Sequence, residues 1–374
     1  MRTLCSGTVL AWAISLVLAL GGRLAIAQQV SPDSAAGPFV QLEEECPFSV
    51  DKFIVELQQE DSGRRWWAAE CLGKMKDRQA VEPLVQVIFN EHIPRLGLVE
   101  IAALKELDDP RTEDLLLNGI KDRRTRPQAI DALGRFQSKR AVEPIIATLK
   151  NPDRFSTSVA MQALGEIKDP RALQPLCTLL KYHDEVVRRY AAIALGQLGD
   201  PGAIGALTTA LKDADDGVRA NAAKSLGELK NAEAVDSLIA ALKDREDSVR
   251  VAAVDALGNI GDASAIAPLL ARLKSAKGRV RWQTASALSM FSSPEVDDAL
   301  TNALRHGELD VVAAAYRHFL LKNDPESVAA LVAAMNAHGW YEMADALRDS
   351  GDSRLVDAAR QWERTHELQL QTQP

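Results

Sequence analysis

The sequence is short of almost everything that chemistry needs. Aromatic residues make up only 5% of 374 positions, and there are six histidines and four cysteines. No two of the histidines (His92, His183, His306, His318, His338, His366) stand four apart on one helix, and there is no H-E-x-x-H, so a zinc site has no ligand set. No C-x-x-C occurs. No G-x-x-x-x-G-K-(S/T) or G-x-G-x-x-G opens a helix, and no G-x-S-x-G follows a strand. With so many acids, carboxylate pairs meet by chance and mark nothing. The sequence therefore names no catalytic residue, no metal ligand and no cofactor. An enzyme remains conceivable only through a site assembled across distant stretches. An excess of positive charge is missing too. The formal charge is −8, and removing Arg2 and Arg23 with the N-terminal segment leaves −10. That excludes a nucleic-acid backbone as partner and favours basic ones.

Long apolar runs are also scarce. The one candidate is Val9 to Leu20, shorter than the ~20 residues a membrane-crossing helix needs. Arg2 before it and Ala25-Ile26-Ala27 after it give residues 1–27 the pattern of a secretory signal peptide, cleaved after Ala27. The alternative is an uncleaved N-terminal anchor. The expected location is periplasmic or secreted, with no membrane contact after cleavage. Three cysteines would remain. An oxidising compartment permits a Cys46–Cys71 bridge pinning the N-terminal end, while Cys177, among Leu and Ile, reads as a buried free thiol.

What the sequence has in quantity is repetition. DEVVRRYAAIALGQLGDPGAIGALTTALK, beginning at Asp184, is followed by two near-copies that end at Lys274. Leu72-Gly73, Leu133-Gly134, Leu164-Gly165, Leu195-Gly196, Leu226-Gly227 and Leu257-Gly258 mark the period, with Leu104, Leu288 and Phe319 in register. From Leu133 onward the step is 31 residues, whereas the two steps before it are 32 and 29. Nine units of two helices follow from this, an all-α solenoid in which each unit buries its apolar face on its neighbours.

In the Leu195 unit, Val187, Ala191, Ala194, Leu195 and Leu198 share one face of the first helix. Gly196 lies inside that helix, which implies a crossing too close for a side chain. Asp200-Pro201 is expected to end it. Pro83, Pro144, Pro175 and Pro268 mark the first turn of second helices, and Lys121, Lys150, Lys181, Lys212, Lys243 and Lys274 close them, a ladder best read as structural. Residues 28–48 read as a disordered linker. Residues 49–339 read as the solenoid, led by a half-repeat capped by Ser49. Residues 340–366 read as a C-terminal helical cap, and 367–374 as a frayed tail.

The D-x-x-V-R, A-A-x-A-L-G, D-P-x-A-(I/V)-x-x-L and L-K-D strings resemble the short HEAT-like repeats of the phycobilisome-lyase type over about 62–336. The resemblance implies a superhelical stack of antiparallel helix pairs with the second helices lining the concave side. It places Arg65, Arg126, Arg188, Arg219, Arg250 and Arg281 between repeats, meeting acids such as Asp184, Asp215 and Asp216. Two activities occur among relatives. Bilin attachment is an intracellular reaction and does not suit an exported chain. Iron-dependent deoxyhypusine hydroxylation uses His-Glu pairs, where this sequence has Arg189-Tyr190, Ala220-Asn221 and Val251-Ala252. Its one His-Glu, His366-Glu367, is in the tail. An oxidoreductase or lyase, or an accessory to one, is thus the alternative to a scaffold that binds protein or peptide.

Two features suggest where such a partner would sit. Trp66 and Trp282 occupy one outward column of the first helices. Trp282 is a candidate anchor, while Trp66 and Trp67 are expected to pack under the N-terminal cap. One column of the second helices carries Glu82, Asp114, Glu143, Asp236 and Asp298, an acidic line suited to a basic or extended peptide.

Overall fold

The computed structural model describes Cys46 and residues 48–59, 61–90, 97–149 and 154–371. The signal peptide and nearly all of the linker lie outside these residues. The unit from Phe48 onward is built of α-helices linked by short turns, several of them 3-10, with no strand among the described residues.

The Leu195 unit shows why each element starts and stops. Its first helix, Glu185–Leu198, is capped by Asp184, which accepts from the Val186 N–H at 2.9 Å. The residues expected on the core face are all buried. The helix stops at Gly199, in the left-handed conformation at φ 74°, one residue before the Asp-Pro pair that the sequence suggested as the break. Asp200 caps a 3-10 turn instead, accepting from the Gly202 N–H at 2.8 Å. Lys76, Asp108, Lys168, Lys230 and Asn323 adopt the same left-handed conformation without being glycine. The second helix follows as Ile204–Ala210. Pro83, Pro144, Pro175 and Pro268 are each the third residue of their second helices, where no helical N–H bond is lost.

The glycines inside first helices mark close approach. A Cβ on Gly73 would lie 2.8 Å from the Ala103 Cα, on Gly134 2.8 Å from the Ala163 Cα, and on Gly196 2.7 Å from the Ser225 Cβ. Neighbouring first helices pack along their length except between Leu98–Leu107 and Arg126–Arg135, which meet at few points, as do most neighbouring second helices. The widely spaced second helices leave openings between units.

Arg188, Arg219 and Arg281 of the V-R column tie units together, but through different acids from those expected. Arg188 donates through Nε and Nη2 to Asp213 at 2.8 and 2.9 Å, and Arg219 does the same to Asp244 at the same distances. Each also donates backward to carbonyls five and six residues earlier, Arg188 to His183 at 3.0 Å and Tyr182 at 2.9 Å. The acceptor is the aspartate of L-K-D in the following loop. Asp184 serves as a helix cap, and Asp215 is taken by Arg189 at 2.7 Å.

The ends differ from the middle. The half-repeat is Val50–Glu56, with the Ser49 hydroxyl accepting from the Lys52 N–H at 3.4 Å. Trp67 packs edge-on to Phe53 and Phe48, centroids 5.2 and 5.7 Å away. Trp66, expected beside it, is 53% exposed. In the ninth unit, where Phe319-Leu320 stands in place of Leu-Gly, the first helix is split into Leu309–Ala314 and Tyr316–Lys322. The last helix runs Ser353–Gln371, past the point where fraying was expected. Cys46 and Cys71 are both disulfide-bonded, and Cys177 is a free, half-buried thiol whose pKa is pushed up, chiefly by burial. Among the described residues, no helix is long and apolar enough to cross a membrane.

Candidate functional site

Glu82, Asp114, Glu143, Asp236 and Asp298 all lie exposed on second helices, as the column predicted. They do not form a uniform acidic line. Arg140, from the turn of the next unit, donates to Glu113 at 2.7 Å and to Asp114 at 2.8 Å. Arg171 lies 3.7 Å from Glu143 while its main partner is Asp169 at 2.8 Å. Arg111, bonded to Asp109, has its pKa raised in part by the charge of Glu82. Arginines of one unit thus screen acids of the one before it. Asp236 and Asp298 form no ion pair among the described residues. The arginines were visible in the sequence as the middle residue of the turns, Arg140 and Arg171, where later units carry Gly202, Glu233 and Ser264. Column reading of acids alone missed them.

The openings between second helices become clefts in the first units. One of about 830 Å³ runs from Ile54 and Leu57 of the half-repeat across Glu82, Pro83 and Phe89 to Leu115 and Asn118. A second, of about 800 Å³, continues past Asp114, Leu117 and Asn118 to Arg140 and Pro144. Asn118 belongs to both. Their walls mix apolar side chains with charged edges, the composition of a binding cleft rather than of a dry cavity.

The first helices of the sixth to eighth units carry a smaller groove of about 470 Å³, lined by Asn221, Lys224, Asp255, Arg279 and Gln283 among others. Burial raises the pKa of the Asp255 carboxyl, against the hydrogen bond from Gln283 and the charge of Arg279. Trp282 does not open into free solvent as an anchor would. It is half-buried, its ring 5.0 Å from that of Trp340, which in turn meets Tyr316 at 5.5 Å. His318 places Nε2 3.1 Å from Asp297, and burial pushes its pKa down. His92 lies outside the described residues. Among the described residues, no group of three His, Cys, Asp or Glu side chains could hold a metal ion.

This arrangement is the product of one repeated sequence unit, and the family comparison agrees. HEAT repeats match at 113–189, 179–253 and 235–320, and the PBS lyase HEAT-like repeat matches at 64–90. The chain belongs to the HEAT-repeat family. No curated protein sequence matches it. Among solved structures, this HEAT-repeat chain is similar to an engineered protein at 20% identity and a TM-score of 0.39, covering 84% of this chain and 98% of that one. It is similar to the CpcE–CpcF complex of phycocyanin lyase from Nostoc sp. at 20% identity and a TM-score of 0.34, covering 81% and 99%. It is also similar to human deoxyhypusine hydroxylase in complex with glycerol, at 21% identity and a TM-score of 0.31, covering 56% and 84%. Likeness at this level concerns the fold alone.

Proposed function

We propose that this HEAT-repeat chain is an exported scaffold that holds a segment of a partner protein across the second helices of its first three units. The observation that carries the reading is the pair of adjoining clefts joined at Asn118, about 830 and 800 Å³, with apolar walls and charged edges. An extended segment laid across them would place apolar side chains against Phe89 and Leu115. Asp122, at the edge of the first cleft, favours a lysine or arginine beside it. Glu82, Asp114 and Glu143 contribute less to such a preference, because Arg111, Arg140 and Arg171 already act on them. Export is supported by the signal pattern of residues 1–27 and by disulfide bonding of Cys46 and Cys71, which suits an oxidising compartment.

The test is selection of displayed peptides on the chain from Gln28 onward. Enriched peptides should pair an apolar residue with a basic one, and Leu115→Glu should weaken them at least about tenfold, as loss of a buried anchor does. Asp298→Asn, remote from both clefts, should leave binding unchanged. Failure to enrich any peptide, or cross-links that map to the first helices instead, would defeat the reading.

A further inference from the structure

The ladder that joins Arg188 to Asp213 and Arg219 to Asp244 does not continue into the next unit. Arg250 stands in the same column, but the residue 25 positions on is Ser275. The Ser275 hydroxyl turns back to its own helix, donating to the carbonyl oxygens of Ala271 and Arg272 at 3.1 and 3.3 Å. Arg250 keeps the backward bonds of its column, to the carbonyls of Asp244 and Arg245, and meets the exposed Asp247 of its own helix. Its Nε, the atom that donates to aspartate in the two preceding units, is buried and has no partner. A buried donor left unpaired costs about 1–3 kcal/mol.

A second arginine lies beside it. Arg272 occupies the column held by Ala210, Ala241 and Ala303, all buried. Its Nε is also buried without a partner. Its guanidinium makes no hydrogen bond or ion pair among the described residues. Burial, reinforced by the charge of Arg250, pushes its pKa down. Val251, Ala276 and Val280 pack together in this part of the stack, so beyond the exposed Asp247 on Arg250 the seam offers these guanidiniums apolar contact and no second anion among the described residues.

We infer that the seam between the seventh and eighth units binds a carboxylate, supplied by an aspartate or glutamate side chain of a partner chain that completes the ladder from outside. The preceding rungs show the donor, an arginine Nε that takes one oxygen of a carboxylate, and it is this atom of Arg250 that is left over, its Nη2 being paired with Asp247. Arg272 adds a second cation. The site is separate from the second-helix clefts and does not depend on the peptide reading.

The experiment is thermal unfolding of the full chain in sodium acetate and in sodium chloride at equal ionic strength, for the natural protein, Arg272→Ala and Ser275→Asp. Acetate should raise the melting temperature of the natural protein by about 2–4 °C more than chloride. That gain should vanish in both variants. Arg272→Ala restores the alanine of its neighbours and should fold, and Ser275→Asp supplies the missing acid internally. An acetylated Asp-Glu dipeptide should bind the natural protein about tenfold more tightly than acetate. Equal binding by the two would overturn the assignment to a partner's side chain. Equal shifts in acetate and chloride, or a gain that survives both substitutions, would overturn the site itself.

Discussion

Gly227 sits so close to the next first helix that a Cβ built on it would lie 2.6 Å from the Ala256 Cα. Two opposing effects meet at this glycine. Alanine is the better helix former by about 1 kcal/mol, while forcing a methyl into a packed crossing costs about 1–3 kcal/mol. Because the obstructing atom is backbone, the second effect should win. At Gly258 the nearest atoms are the Ala287 Cβ at 3.1 Å and Cα at 3.3 Å, so the neighbour needs to yield less. Gly227→Ala should therefore destabilise more than Gly258→Ala, measured by denaturant unfolding. The reverse order would contradict the close approach of first helices.

Leu226 is fully buried at the same crossing. Leu226→Ala should cost about 2–5 kcal/mol, as deletion of a packed leucine does. A loss below about 0.5 kcal/mol, ordinary for a surface position, would mean that the register of the repeat is wrong.

The two tryptophans of one column should behave differently. Trp282 is packed on Trp340, while Trp66 is 53% exposed. Trp282→Ala should destabilise the C-terminal units by well over about 0.5 kcal/mol, and Trp66→Ala by no more than that. Equal effects in equilibrium unfolding would argue against the aromatic cluster at the cap.

Asp215 gives a pH dependence with a definite sign. The hydrogen bond from Arg189, assisted by the N–H of Val218, holds its carboxyl down at about 2. An unfolded aspartate titrates near 3.9. The folded value is the lower one, so the unfolded chain takes up the proton first. The contribution is complete above about pH 4 and is lost as pH falls toward about 2. Asp169 and Asp352 are held at about 2 by Arg171 and Arg354 and add to the same acid limb. Asp215→Asn keeps an oxygen for the Val218 N–H but loses the charge. It should flatten the fall in melting temperature between about pH 4 and 2, and an unchanged slope would show that the pair carries no linkage.

Pairing of Cys46 with Cys71 predicts a cross-linked peptide on non-reducing digestion of the chain from Gln28 onward, with Cys177 open to alkylation once unfolded. A free Cys46 would dispose of the bridge.

Much of this fold was legible because the repeat leaves little choice. Leu195, Ala191 and Val187 recur at helical spacing, and each copy repeats the same packing problem. Gly196 announced a close crossing before any coordinate. How tightly each crossing packs was not legible from spacing along the chain, since it depends on how closely Gly73 meets Ala103 across units. The arginine partners were misassigned for a related reason. Asp213 and Asp215 are two residues apart, and only the loop's path decides which one faces Arg188. On the second helices, the acids were read correctly as exposed. Their screening by Arg140 and Arg171 depends on side chains from the following unit. Trp282 illustrates the same limit, because Trp340 folds over it while Trp66 of the same column stays exposed.

The missing rung at Ser275 bears on how the molecule would come apart. A stack whose members touch only their neighbours is no stronger than its weakest interface. With two unpaired guanidinium nitrogens at one junction and bidentate pairs at the two junctions before it, this part of the stack should open first between Ile266–Ser275 and Gly278–Leu288. The stack would divide there into two blocks that melt separately, and whatever carboxylate bridges the seam would act as a clasp that makes them melt as one.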